Sequence, residues 1–388
     1  MKALENIKVL DFSQGAAGPY ASMILGDFGA DVIKIESPEG DWARTLGPPF
    51  IEGESAAFLS LNRNKRSIVL DLKKKESIEM VKNMIKEVDI LIESFRPGVM
   101  KKFGLGYEEI SYLNPKIVYC SVSGFGQKGP WKYKPGVDGI IQGISGLMSV
   151  TGYDDMPPVK AGTIVADVIG GSLALSGILI ALHARKKSGY GQKVDQSLFD
   201  AMLSMQTVGF GMYFANKQLP KRHGSEAPYA VPNGAFKTKD GYIMLAANLP
   251  KKWESFCNIL NKPEWLNNPK YNTNEMRVKN RYKLIPEIEK ILKENKSKYW
   301  LENLEKHDII CAPISTYEDI ENFEQVKVNE MILSSYHPTI GEYSQIGIPQ
   351  KLTETPGRLK SDAPLLGQHT DEIMEEFQLL NKNKSIPR

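Results

Sequence analysis

The sequence predicts an α/β protein with a parallel sheet, followed by a smaller α+β domain. Short β-branched runs alternate with helical segments up to residue 122, which is the pattern of a parallel sheet with helices on both faces. A stretch rich in Pro, Lys, Gly and Ser at residues 218–232 has the composition of a linker. The segment that follows is more polar and richer in Lys and Asn, so it indicates a separate unit.

Five apolar and β-branched runs predict the strands of the sheet. They lie at residues 7–12, 31–36, 67–72, 88–93 and 116–122. Helices are predicted at residues 19–28, ending before Gly29, and at residues 76–87. Ligands of open parallel sheets bind beyond the carboxyl ends of the strands. We therefore expect one shared site for the loops that begin at Ser13, Ser37, Ser94 and Ser123.

The remaining elements complete two domains. A long apolar helix begins near Asp167, followed by a short strand and a helix at about residues 198–215. In the second domain we predict a strand at residues 242–247 and helices around 253–260, 282–293 and 299–306, and the tail ends in a helix at 370–380. The predicted large domain comprises residues 1–217 and 327–388, the small domain 233–318, and the linkers 218–232 and 319–326.

Composition excludes several classes of protein. Lys and Arg number 49 against 46 Asp and Glu, a net charge of +3 without a concentrated basic tract, so no nucleic-acid partner is expected. Cys120, Cys257 and Cys311 have no paired spacing and the five histidines are scattered, which predicts neither disulfides nor a metal site. The N-terminus lacks the apolar region of a signal peptide. We expect a cytoplasmic protein.

The apolar run at residues 168–182 has two interpretations. It is shorter than the roughly 20 residues that span a bilayer, and it contains Gly and Ser, which favours a core helix buried on nearly all sides over a membrane helix. Asp167 precedes it, and Gly170 and Gly171 follow within one turn. Asp167 is then either a capping residue or a carboxylate nucleophile toward an acyl group, and the residues alone leave both readings open.

Familiar nucleotide and hydrolase motifs are absent. The first strand is followed by Ser13-Gln-Gly-Ala-Ala-Gly-Pro19, whose spacing differs from the GxGxxG fingerprint. The sequence also contains no P-loop and no GxSxG elbow. Nicotinamide chemistry, nucleotide hydrolysis and serine hydrolysis are therefore disfavoured.

A series of motifs in fixed order points to a family. They are Gly18-Pro19, DVIKIE (31–36), GDWAR (40–44), NRNKRS (62–67), Asp71-Leu72, ESFRPG (93–98), SGFGQKGP (123–130), Val137-Asp138, ADVIGG (166–171), GYGQKVD (189–195) and APLLGQHT (363–370). Together they resemble the class III (family III) coenzyme A-transferases, which include formyl-CoA and carnitine-type CoA-transferases and α-methylacyl-CoA racemases. The resemblance runs from about residue 4 to about residue 377 and covers nearly the whole chain.

The resemblance implies both a fold and a chemistry. Family members have a Rossmann-like large domain, a smaller domain and an interlocked homodimer. Asp167 aligns with the family's catalytic aspartate, which attacks an acyl-CoA thioester and passes through an aspartyl anhydride and an aspartyl-CoA thioester. Asp138 is expected to orient groups beside Asp167, although a helix cap is an equal alternative. Backbone N–H groups near Gly170 and Gly171 are candidate oxyanion donors.

The resemblance also implies a site for coenzyme A, with CoA or acyl-CoA as substrate and no tightly bound cofactor. Its anionic phosphates need a local cluster of cations and its adenine an apolar slot. The candidate residues are Gln14, Ala16, Lys65, Arg66, Leu72, Ser94, Phe95, Arg96, Lys102, Lys128 and Lys134. For each Lys or Arg the alternative is a solvated surface charge, and for Phe95 it is core packing.

Two departures from the family pattern matter. Ser37 stands where some transferases have a phosphate-binding Arg, so either Arg44 replaces it or the 3′-phosphate is held less tightly. Val137 stands where the racemases have a proton-transferring His, and valine cannot act as an acid or base. We therefore predict a CoA-transferase that moves CoA to a free carboxylic acid. The alternatives are a 2-methylacyl-CoA racemase or epimerase and a non-catalytic CoA-binding protein. The sequence does not identify either acid.

Overall fold

The computed structural model describes residues 2–379, and these divide into two compact units. The larger unit comprises the chain up to Leu147, Lys160–Lys217 and the chain from Glu324 onwards. The smaller unit comprises Met148–Val159 and Gln218–Phe323. The sequence-based division did not assign residues 148–159 to the smaller unit. Residues 380–388 of the predicted tail lie outside the described part of the chain. They include Leu380, the predicted end of the last helix.

The first part of the larger unit alternates strands and helices. In chain order it contains β1 (Lys8–Asp11), α1 (Ala17–Asp27), β2 (Asp31–Glu36), a 3-10 helix (Trp42–Thr45), β3 (Phe50–Ile51), β4 (Glu54–Ser55), α2 (Ala56–Leu61), β5 (Lys65–Val69), α3 (Lys75–Ile85), β6 (Ile90–Glu93), α4 (Val99–Lys102), α5 (Tyr107–Leu113), β7 (Val118–Ser123) and α6 (Asp138–Ile144). The short α7 (Leu147–Val150) begins at the last residue before the chain enters the smaller unit. The larger unit then resumes with α8 (Val165–Ser188), β8 (Lys193–Ser197), α9 (Leu198–Met205) and α10 (Thr207–Asn216). The single helix predicted at 198–215 is therefore two, separated at Gln206.

Within residues 2–379, a six-stranded parallel sheet has the order β5-β2-β1-β6-β7-β8. This confirms the predicted fold class. Alternate strand residues enter two cores on opposite faces, as the period of a strand requires. Val9 packs in the core beside α1 and α8, while Leu10 packs in the core beside α3 and α5. The carboxyl ends of β1, β2, β6 and β7 consequently form one edge of the sheet.

Helix α8 is buried along one stripe only, which differs from the prediction. Ala174, Ile178 and Ala181 face the core, whereas Ile180 is 69% exposed in the single chain. By length and composition the helix could also cross a bilayer, which is weak evidence because core helices of soluble proteins pass the same test. It ends at Gly189, whose φ of 78° is the left-handed conformation typical of a helix C-terminus.

The smaller unit has its own sheet and core. It contains β9 (Asn233–Lys237), β10 (Tyr242–Ala246), α11 (Pro250–Ile259), a 3-10 helix (Pro263–Leu266), α12 (Asn274–Lys279), α13 (Arg281–Leu292), α14 (Ser297–Lys306), β11 (Ile310–Pro313) and α15 (Tyr317–Glu321). The strands pair antiparallel in the order β11-β10-β9. Trp253, Phe256 and Leu284 belong to the core between this sheet and its helices.

The tail returns to the larger unit. It forms α16 (Glu324–Val328), a hairpin of β12 (Ile332–His337) and β13 (Gly341–Ile346), and α17 (Thr370–Glu376). Arg63 donates to the Ile346 carbonyl and ties the hairpin to the chain before β5. Ile373 of α17 is buried in the core beneath the sheet.

Candidate active site

Asp167 is the third residue of α8 and has no hydrogen-bonding partner among residues 2–379. The helix has Ile164 as its N-cap and no side-chain capping bond, so Asp167 is not used as a cap. Its side chain is partly buried. Burial, followed by the charge of Asp138, raises the pKa of Asp167 to about 6. The carboxylate is therefore ionised at neutral pH, and no structural hydrogen bond or ion pair occupies it.

Asp138 fixes the entrance to α8. It begins α6, and its Oδ1 accepts from the backbone N–H of Ala166 at 2.8 Å, beside Asp167. Its Oδ2 accepts from Gln142 Nε2 at 2.7 Å, and Gln142 Oε1 accepts from the N–H of Ala161 at 2.8 Å. Through the bond to Ala166, Asp138 contacts the residue next to Asp167, as an orienting role requires. They join α6 to the segment that leads into Asp167.

Gly170 and Gly171 are explained by packing, which corrects their predicted part in oxyanion binding. Both lie inside α8, where the helix uses their N–H groups. A Cβ at Gly171 would overlap the backbone carbonyl of Ala17, and one at Gly170 would overlap Leu198 Cδ2. The glycine at 171 therefore lets the first turns of α1 and α8 approach closely.

The loop of residues 13–16 leads from the carboxyl end of β1 into α1. The N–H of Gln14 donates to Ser94 Oγ at 2.9 Å, which brings two predicted CoA-binding residues together. Among the described residues, the N–H groups of Ala16, Ala17 and Gly18 donate to no protein acceptor. Free amides at a helix N-terminus stabilise negative charge. The packing of Gly171 against Ala17 places them next to the helix that carries Asp167.

A cluster of charged residues, which the sequence analysis missed, lies buried beneath this loop. Asp11, Lys34, Asp41 and Lys65 are each at most 1% exposed. Lys34 Nζ lies 2.8 Å from Asp41 Oδ2, an ionic contact without hydrogen-bond geometry, and Lys65 Nζ lies 3.1 Å from Asp11 Oδ2. The available signal was Lys34 itself, because a Lys between Ile33 and Ile35 in a doubly covered strand needs an anionic partner.

Lys65 and Arg66 are both held by other groups of the protein, so neither offers a free cation at the carboxyl edge of the sheet. They open β5, and Lys65 is occupied by Asp11, Asn62 Oδ1 and the Pro19 carbonyl. Arg66 pairs with Asp31, at the amino end of β2, and with Glu372 and Glu376 of α17. Their predicted contacts with CoA therefore have no support in the geometry.

Arg44 is likewise occupied. Its guanidinium binds both carboxylate oxygens of Glu36 and stacks on Phe58. The structure thus gives Arg44 a structural partner instead of the freedom to replace the missing phosphate-binding Arg.

The other candidates follow the carboxyl ends of strands. Leu72 lies beyond β5; Ser94, Phe95 and Arg96 lie beyond β6, with Lys102 at the end of α4; and Lys128 and Lys134 lie beyond β7. Arg96, Lys102, Lys128 and Lys134 are exposed cations without a carboxylate partner among residues 2–379. Phe95 packs on the core through one side, as the alternative reading expected. These cations remain the candidates for the CoA phosphates.

Glu93 is a further buried carboxylate at this edge. It ends β6 and accepts from the N–H of Phe95 at 2.9 Å. Burial raises the pKa of Glu93 to about 7. Its only described backbone partner belongs to the segment of residues 94–96, so it helps to shape the loop that carries three of the candidates.

Comparisons with known proteins give the family and the relatives of the chain. The model of CoA-transferase family III matches residues 4–370. The mouse protein named succinyl-CoA:glutarate CoA-transferase is 38% identical over 377 residues, covering 97% of this chain and 86% of the relative. The Agrobacterium fabrum succinate–glutarate CoA-transferase is 36% identical, covering 98% and 96%. A crystal structure of a CAIB/BAIF family protein from Brucella suis superposes with a TM-score of 0.87 at 35% identity, covering 97% of this chain and 99% of that one.

Proposed function

Since the chain belongs to CoA-transferase family III, we propose that it moves coenzyme A from an acyl-CoA thioester to a free carboxylic acid through covalent catalysis by Asp167. The observation that carries this proposal is the state of that carboxylate. It stands on a rigid helix, is partly buried and has no partner among residues 2–379. A nucleophile needs this freedom, because hydrogen bonds or ion pairs would lower its reactivity.

The reaction proceeds by four acyl transfers. A carboxylate oxygen of Asp167 attacks the thioester carbonyl, forming an aspartyl anhydride and releasing the CoA thiolate. The thiolate attacks the aspartyl carbonyl, giving an aspartyl-CoA thioester and the first free acid. The second acid attacks the same carbonyl and displaces the thiolate, which then attacks the acyl carbonyl of the new anhydride. The products are a new acyl-CoA and the original Asp167 carboxylate.

Each step passes through a tetrahedral oxyanion, which needs hydrogen-bond donors. The free N–H groups of Ala16, Ala17 and Gly18 are suitable donors, since they open α1 beside the Asp167 helix. The exposed cations Arg96, Lys102, Lys128 and Lys134 are suited to the phosphates of CoA.

We further propose that both acids are dicarboxylic, with succinyl-CoA as a donor. The support is the names of the mouse and Agrobacterium relatives, which join succinyl-CoA or succinate with glutarate. Exchange rates with succinate and glutarate, measured against butyrate and valerate of equal chain length, test this choice. Equal rates for the monocarboxylates would contradict it.

We also propose a homodimer in a reducing compartment. The outer face of α8, the neighbouring α6 and the later helix α10 leave large apolar side chains open, namely Ile140, Ile144, Leu179, Ile180, Val208 and Phe214. Monomeric soluble proteins rarely expose such a surface, and a second copy would cover it. The three cysteines are unpaired, which fits reducing conditions. A monomeric mass by light scattering at micromolar concentration would contradict the dimer.

The decisive experiment is mass spectrometry of the protein after incubation with a panel of acyl-CoAs. We expect a covalent CoA adduct that maps to Asp167 and is absent from Asp167→Asn. An α-proton that exchanges with deuterated solvent, without acid exchange, would support the racemase alternative instead. Tight CoA binding with neither adduct nor exchange would support a binding protein. Against the racemase stands Val137, the N-cap of α6, which offers no proton beside Asp138.

A further inference from the structure

Two buried charged side chains, Lys34 and Asp41, bind the backbone of the loop of residues 13–16. Lys34 Nζ donates to the backbone carbonyl of Ser13 at 2.8 Å. Asp41 Oδ1 accepts from the N–H of Gly15 at 3.0 Å, and its other oxygen faces the Lys34 ammonium. The two ends of one ion pair thus hold two neighbouring peptide groups of the same loop.

The loop has little freedom elsewhere. Asp11 accepts from both the N–H and the hydroxyl of Ser13. Gly15 has a φ of 79°, which favours glycine, and a Cβ there would overlap the ring of Trp42. The backbone is consequently fixed in one conformation, and the free amides of α1 follow directly.

We propose that Lys34 and Asp41 are positioning residues for the transfer reaction, which hold the loop of residues 13–16 and the N-terminus of α1 in register with Asp167. This inference rests on the proposed function. Neither side chain reaches the surface, so both act through the loop. Displacing catalytic donors by about 1 Å is enough to lower a rate by about a hundredfold.

A second buried ion pair in the same unit provides a matched control. Arg63 and Asp27 form a bidentate pair, each 3% exposed, at the other end of α1. Arg63 also donates to the carbonyl of Ile346 in the β12–β13 hairpin. The control is likewise a buried pair of a cation and a carboxylate, but it makes no contact with the loop of residues 13–16.

The test compares four variants of the full-length protein in acyl-CoA exchange. Asp41→Asn keeps the shape and the acceptor for Gly15 but removes the charge that holds Lys34, and Lys34→Met removes the ammonium. We expect kcat to fall about 10- to 100-fold in both, with the KM for acyl-CoA within threefold of wild type. We expect Asp27→Asn and Arg63→Met to lose comparable thermal stability and to keep kcat within about twofold of wild type.

A double variant separates positioning from folding. Replacing both charges in Lys34→Met/Asp41→Asn leaves no unpaired buried charge and keeps an acceptor for the N–H of Gly15, so the double variant should be more stable than Lys34→Met, while kcat stays low. The proposal is overturned if a folded Asp41→Asn keeps wild-type kcat, if the control pair lowers kcat equally, or if the double variant recovers kcat. Failure of wild type to form the Asp167 adduct would instead overturn the proposed function, so the two failures are distinguishable.

Discussion

Two groups of carboxylates at the same edge of the sheet differ in whether they have a cation. Beneath the β1 loop, Asp11 and Asp41 each face a lysine ammonium. At the entrance to α8, Asp138 and Asp167 have none among the described residues. Burial would raise the pKa of Asp11, but Lys65 and Lys34 outweigh it and lower that pKa to about 2, whereas Asp167 stands at about 6. Asp11, Asp41 and Asp138 each hold the backbone through hydrogen bonds, and Asp167, which has no partner among the described residues, is left for chemistry.

The paired group is not explained by stability alone. Because the pKa of Asp11 is lower in the folded state, its ionised form stabilises the fold above pH 3.8, and this contribution is lost as the pH falls through about 2. Burial lowers the pKa of Lys65 to about 8, so the charged form of Lys65 destabilises the fold below that pH. The two contributions have opposite signs, so the paired group is not simply a source of stability.

The largest expected effect is the loss of kcat when the carboxylate of Asp167 is replaced. Asp167→Asn should lower kcat by at least about a thousandfold, because the amide cannot form the anhydride. Asp200 is the matched control, since it is also the third residue of its helix, is exposed and serves no proposed step. Asp200→Asn should keep wild-type activity. Exchange activity in Asp167→Asn above about one per cent of wild type would contradict the assignment.

Substitutions at Gly171 and Gly170 test how the two groups of carboxylates are held together through the contact between α1 and α8. In Gly171→Ala the new methyl meets the Ala17 carbonyl, which is backbone, so α1 and α8 must separate. We expect about 1–3 kcal/mol lower free energy of unfolding from overpacking and at least a tenfold lower kcat. In Gly170→Ala the methyl meets the end of the Leu198 side chain, which can turn away. Denaturant unfolding and exchange rates that rank the two variants equally would contradict this reading.

The acid limb of the pH profile tests the electrostatic difference. Asp167 must be ionised to attack, so kcat/KM should fall as the pH drops through about 6. Asp138→Asn removes the neighbouring negative charge, lowers the pKa of Asp167 and should move the limb to lower pH. Gln142→Leu breaks the hydrogen bond and keeps the charge, so its limb should stay in place. If the limb of Asp138→Asn does not move, the charge of Asp138 does not act on the nucleophile.

The sequence predicted the strands of the sheet and singled out Asp167 as a candidate, but it did not reveal the paired group. Strand alternation and apolar runs are local signals, and Asp167 lies in a local motif. The partners of Lys34 come from two other loops, so its role depends on the tertiary fold. The predicted contacts of Lys65 and Arg66 with CoA found no support for the same reason. The motif that contains them is local, but β5 begins there, which carries Arg66 to the opposite end of the sheet from the site.

The smallest expected effect is a gain of stability when the unpaired carboxylate is neutralised. The pKa of Asp167 is raised from 3.8 to about 6 in the folded state, so its ionised form destabilises the fold above pH 3.8. After allowance for its partial exposure, Asp167→Asn should raise the free energy of unfolding at pH 7.5 by about 1–2 kcal/mol. The difference should shrink as the pH falls and vanish at about pH 3, where Asp167 is protonated in both the folded and the unfolded protein, and Asp200→Asn should show neither change. Urea unfolding at the two pH values measures it, and equal stability of Asp167→Asn and wild type at pH 7.5 would mean that the site holds its nucleophile without cost to the fold.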